Sequence, residues 1–69
     1  MKFFANINSY TWTYDVWVDH DVVHANCYRR SGPVSKYTST SFPLSNLTSE
    51  TIRDKVETHL TQWAETNGA

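Results

Sequence analysis

Apolar and polar residues alternate with a period of two through most of the first forty-two positions, the pattern of strands that bury one face. Tyr14, Val16 and Val18 keep even numbers, whereas Val23, Ala25 and Cys27 keep odd ones. One antiparallel register reconciles the two runs. It sets Val18 opposite Val23, Val16 opposite Ala25 and Tyr14 opposite Cys27, all on one face. Trp17 then lies across from His24, Asp15 from Asn26 and Thr13 from Tyr28, on the other face. A slip of one residue sets Val16 against His24 and mixes the faces, because it turns every side chain over. The register requires an even turn at Asp19–Val22, although His20-Asp21 is a poor type I′ sequence.

The pattern extends to both sides. With Asn8 and Ser9 as a turn, Ile7 faces Tyr10, Ala5 faces Trp12 and Phe3 faces Tyr14. The alternative, one strand from 3 to 18, is too long and needs a bulge where the apolar phase switches. Beyond the second strand pair, "SGPVS" at 31–35 is a turn cluster. The strand after it sets Phe42 opposite Val23, Thr40 opposite Ala25 and Tyr37 opposite Tyr28. From residue 49 the period changes: Ile52, Val56, Leu60 and Trp63 recur at helical spacing. Thr48 suits the N-cap, Leu47 and Ile52 a hydrophobic staple, and Asn67-Gly68 the stop. Glu50/Arg53 and Arg53/Glu57 are spaced to pair along the helix.

These elements predict one α+β domain over residues 1–69, two layers deep. Strands at about 2–7, 10–18, 23–30 and 36–42 form an antiparallel meander, followed by a helix at about 49–66, a ββββα order. The helix is expected to cover Phe3, Ile7, Trp12, Tyr14, Val16, Val18, Val23 and Phe42. The opposite face of the sheet is left open.

Composition fits that picture. A chain of 69 residues is one domain at most, and it buries only about 60% of its unfolded surface. Three Trp, four Tyr and three Phe mark a globular chain, and each ring that is buried contributes far more area than an aliphatic side chain. A single cysteine forms no internal disulfide, which suits a reducing, cytoplasmic setting. The opening apolar run stops at Asn6, too short for a signal-peptide core, and no stretch approaches the roughly 20 apolar residues of a membrane span. "NLT" at 46–48 reads as a helix start rather than a glycosylation acceptor. The net charge of −1 lacks the basic excess of a non-specific nucleic-acid binder.

Candidate chemistry is then weighed against the register. Asp19, His20, Asp21, His24 and Cys27 resemble a metal-ligand set as text. The pleat turns Cys27 to the core and His24 outward, and leaves His20 in a turn, so the tetrahedron that zinc requires does not form. Asp15, His24 and Ser41 share the outer face, as an acyl-transfer triad would. A sheet face whose amides are all in the ladder offers no oxyanion donors and no dry pocket. Neither an enzymatic activity nor a cofactor or metal is therefore expected. His59 reads as a half-buried structural histidine.

What remains is a surface. Trp17, Tyr28 and Tyr37 lie on the outer face among Thr13, His24 and Asn26, with Asp15, Asp19 and Asp21 toward one end and Arg29, Arg30 and Lys36 at the other. Trp, Tyr and Arg are enriched where proteins bind each other. The expectation is a small non-enzymatic regulator or inhibitor of another protein. It would use Trp17, Tyr28, Tyr37, Asp15, Asp19, Asp21, His24 and Arg30. Compact inhibitors encoded by phages and mobile elements, including anti-defence proteins, are of this size. Strand 36–42, protected only by Lys36 and Pro43, is an edge through which a homodimer could pair. The alternative is a nucleic-acid-binding sheet using Arg29, Arg30, Lys36, Tyr28 and Tyr37, which Asp15, Asp19 and Asp21 disfavour.

Overall fold

The structure, a computed structural model, describes residues 1–31 and 33–67. Four strands precede one helix: β1 (Lys2–Ile7), β2 (Tyr10–Asp19), β3 (Val22–Ser31), β4 (Val34–Pro43) and α1 (Ser49–Asn67). The strands form one antiparallel sheet in the order β1-β2-β3-β4. The ββββα α+β arrangement is thus the one that the alternation implies.

All three registers follow the expected pairing. Phe3 pairs with Tyr14 and Ile7 with Tyr10, Val18 pairs with Val23 and Tyr14 with Cys27, and Phe42 pairs with Val23 and Tyr37 with Tyr28. Both tight turns are two-residue loops with left-handed backbone. Asn8 and Ser9 have φ of 51° and 72°, and His20 and Asp21 have φ of 51° and 60°. Positive φ at both central residues is the type I′ condition, whose twist matches the flanking strands. Strand twist therefore imposes this turn on His20-Asp21 despite their chemistry, and β2 and β3 run one residue further into it than expected. At the third turn β3 and β4 also extend further, to a Ser31–Val34 pair. Gly32, part of the expected turn cluster there, lies outside the described residues, as does the expected helix stop at Gly68.

Thr48 caps α1: its Oγ1 accepts from the Thr51 backbone N–H at 3.2 Å. Its carbonyl accepts the first helical bond, from Ile52 N–H, at 3.0 Å. Of the two expected ion pairs only Arg53–Glu57 forms, at 3.7 Å. Among the described residues, no helix is long and apolar enough to cross a membrane.

The core lies between α1 and the sheet: Ile7, Trp12, Tyr14, Val23, Ala25, Cys27, Val56, Leu60 and Ala64 are buried. Burying a ring such as Trp12 or Tyr14 removes roughly 150–250 Å² from water, about 4–6 kcal/mol before chain entropy is set against it. Trp12 meets Trp63 edge-on, with centroids 5.4 Å apart at 83°, and Phe3 tilts against Tyr14 at 5.4 Å. Phe3, Val16 and Phe42 pack at the margin.

Two expectations are corrected. Val18 points to the helix side but is 51% exposed. A ten-residue strand spans about 33 Å and the 19-residue helix about 28 Å, so the sheet outruns its cover at the hairpin tip. Arg29 does not belong to a surface cluster with Arg30; it is 5% exposed, on the helix side of the sheet. Its odd number places it in line with Val23, Ala25 and Cys27.

Candidate protein-binding face

The open face follows from the same alternation. β1 contributes Lys2, Phe4 and Asn6, and β2 contributes Thr11, Thr13, Asp15, Trp17 and Asp19. β3 contributes Val22, His24, Asn26, Tyr28 and Arg30, and β4 contributes Ser35, Tyr37, Ser39, Ser41 and Pro43. Read across the strands, these residues form rows. Asp19, Val22 and Pro43 lie beside the tip; Trp17, His24 and Ser41 come next; then Lys2, Asp15, Asn26 and Ser39; then Phe4, Thr13, Tyr28 and Tyr37. A polar row is thus flanked by two aromatic ones.

Seven of the eight expected contact residues share this face: Asp15, Trp17, Asp19, His24, Tyr28, Arg30 and Tyr37. Asp19 closes it at the tip, and Asp21 sits in the turn beyond the ladder. The Trp17 and His24 rings stack with centroids 5.3 Å apart at 17°. Asp19 accepts from His20 Nδ1 at 2.9 Å on a fully solvated tip. At the far end Thr11 Oγ1 donates to Asn6 Oδ1 at 2.9 Å. Beside that pair Thr11, Thr13, Tyr28, Arg30, Ser35 and Tyr37 line an open hollow of about 490 Å³, with Arg29 and Lys36 at its rim.

One residue was overlooked: Phe4, 65% exposed. The pairing Phe4–Thr13 puts it in the Tyr28 and Tyr37 row, so the signal lay in the register rather than in any motif. With Trp17, Tyr28 and the 60% exposed Tyr37, four large rings are left in water on one side of a small sheet. Scattered exposed apolar residues are ordinary on a protein surface; here four rings share one face, three of them in a single row and Trp17 beyond the polar one.

The remaining candidates separate. Ser41 is the cross-strand partner of His24, and Asp15 lies one row away, but no hydrogen bond joins the three among the described residues. Cys27 is buried on the opposite side, and its thiol is pushed up to about 11 by desolvation, so little thiolate forms at neutral pH. His59 is half-buried on α1, its Nε2 3.0 Å from Thr38 Oγ1, and burial lowers its pKa. A groove of about 530 Å³ between β4 and α1 is walled by polar side chains such as Thr40, Thr58, Asp54, Lys55 and Gln62. Lys36, paired with Arg29, projects from the helix side, and both border the open face only at the rim of the hollow beside Tyr28 and Tyr37. Comparison with known proteins gives no match to a family model, to a characterised protein or to a solved structure.

Proposed function

We propose that the chain is a small non-enzymatic regulator or inhibitor that binds another protein through the open sheet face and the acidic hairpin tip. The observation that carries this reading is the set Phe4, Trp17, Tyr28 and Tyr37, four exposed rings held by adjacent strands. Rings on a rigid ladder lose little side-chain freedom on docking, which favours affinity over a loop of the same composition. Arg30 at one end and Asp15, Asp19 and Asp21 toward the other give the face a direction, so charge complementarity would set the orientation of a partner. The edge of β4 is a second route to association, by strand addition or homodimer pairing.

Nucleic acid is the weaker reading. Arg29 is buried and Lys36 projects from the helix side, both meeting the open face only at the rim of one hollow, so Lys2 and Arg30 stand on that face against Asp15 and Asp19. The test is capture of a partner on the immobilised chain, its identification by mass spectrometry, and calorimetric titration of that partner against wild type, Trp17→Ala and Tyr37→Ala. Loss of roughly 2 kcal/mol, about thirtyfold in affinity, is the hot-spot outcome, with the variants still folded. Variants that bind the partner like wild type overturn the reading. So does duplex DNA binding that weakens steeply between two salt concentrations.

A further inference from the structure

Trp12 Nε1, Arg29 Nε and Arg29 Nη1 are buried donors with no hydrogen-bond partner among the described residues. They are neighbours: the Arg29 guanidinium carbon lies 5.7 Å from the Trp12 ring and 3.9 Å above the Tyr10 ring. Lys36 pairs with Arg29 directly across the β3–β4 ladder and so projects from the same face. Like charges set opposite each other on a ladder destabilise it. Among the described residues neither cation has an acidic partner, because the ion pairs are Asp19–His20 and Arg53–Glu57. Two cations and three orphan donors therefore gather at one end of the core with nothing among the described residues to accept from them.

Buried polar groups are nearly always satisfied, and an unsatisfied set asks for its missing member. The α1 C-terminus lies over Trp12 through Trp63 and offers a partial negative charge there. Two of its carbonyls are already taken, that of Gln62 by Thr66 Oγ1 and that of Trp63 by Asn67 Nδ2. Ordered water would accept the hydrogen bonds but would leave both charges unbalanced.

We propose that this end of the core is an oxyanion site in which Arg29 and Trp12 donate to a carboxylate or phosphate group and Lys36 balances its charge. Arg presents a planar fork suited to either group. Tyr10, whose ring covers the guanidinium, is itself exposed, so rotation of one surface side chain opens the site to solvent. The site lies on the helix side of the sheet, opposite the aromatic face, and stands or falls independently of it.

The experiment titrates the intact chain with sodium phosphate and, separately, sodium acetate, at ionic strength held constant with sodium chloride. The Trp12 indole N–H and Arg29 Nε–H signals are followed by ¹⁵N correlation spectroscopy. At least one oxyanion is expected to shift both signals saturably, with one dissociation constant, and to raise the melting temperature in parallel. Arg29→Gln abolishes the Trp12 shift, and Lys36→Gln weakens the affinity by about threefold, the scale of a partly exposed charge pair. Should Arg29→Gln fail to fold, Lys36→Gln decides. Signals that move no further than in the chloride control, for both anions, overturn the proposal and assign the donors to water. An affinity unchanged in Lys36→Gln overturns it as well.

Discussion

The Tyr14 hydroxyl donates to Glu57 Oε2 at 2.8 Å, joining the centre of β2 to the middle of α1. Arg53 Nε donates to the same hydroxyl at 3.3 Å, and its guanidinium lies 4.6 Å from the Phe3 ring centre. A ring with no exposed surface thus ends in a polar group that two helix side chains satisfy. Tyr14→Phe keeps the packing and removes the bond, so its effect measures that link. The expected loss is about 1 kcal/mol, or a fall of roughly 4–8 °C in melting temperature by circular dichroism. Burial, chiefly, raises the Tyr14 pKa, so the native state holds its proton where the unfolded chain releases it. Wild type should therefore lose stability above about pH 10 more steeply than Tyr14→Phe.

His59 gives the opposite pH dependence. Desolvation lowers its pKa, and its Nε2 lies 3.0 Å from Thr38 Oγ1. In the window between the lowered native value and about 6.5, the unfolded chain binds the proton and the native chain does not. Stability then rises with pH through that window and is lost as pH falls below about 6.5. The melting temperature of wild type should drop between pH 7.5 and pH 5.5, and that of His59→Gln should drop less. Parallel curves for the two proteins would remove His59 from the acid-sensitive groups.

Most of this architecture was legible because a strand's faces are read two residues at a time. Val16, Val18, Val23 and Ala25 admit one register, and that register predicts the Trp17–His24 pair whose rings are found stacked. Arg29 shows where residue type misleads. Its parity assigns it to the core side, yet a guanidinium reads as surface, because a stacked ring such as Tyr10 that makes its burial tolerable is visible only in space. Val18 illustrates a different limit. Alternation says which way a side chain points, but not how far along the sheet the helix reaches. Phe4 was readable from its pairing and was hidden by its neighbour Phe3, which claims the apolar role.

Trp12 and Trp17 put the two faces to a direct comparison. Trp12 is wholly buried between the sheet and Trp63, whereas Trp17 is nearly half exposed. Trp12→Ala should remove about 3–5 kcal/mol, a large share of what a domain of this size possesses, and leave the chain largely unfolded at room temperature. Trp17→Ala should cost far less, about 1 kcal/mol, because a ring already 44% exposed gives up chiefly its stack on His24. Circular dichroism of Trp12→Ala and urea denaturation of Trp17→Ala, each beside wild type, read the difference. Equal losses would mean that the open face is packed against something in solution, and size-exclusion chromatography would then show a larger species.

The turn at His20-Asp21 offers a stabilising change that also separates folding from binding. Both residues are held at positive φ, which His and Asp tolerate less well than Asn and Gly, at a combined cost of about 1–2 kcal/mol. The double substitution His20→Asn, Asp21→Gly supplies the sequence that a type I′ turn prefers. It forfeits the exposed Asp19–His20 contact, which is worth between zero and about 1 kcal/mol. The net gain should be about 1 kcal/mol, a rise of roughly 4–8 °C in melting temperature. If the acidic tip helps to engage a partner, as the proposed function holds, the same variant binds that partner more weakly while melting higher. Affinity and stability then move in opposite directions, which a general loosening of the hairpin does not produce. A melting temperature that falls instead would show that the turn is not type I′ in solution.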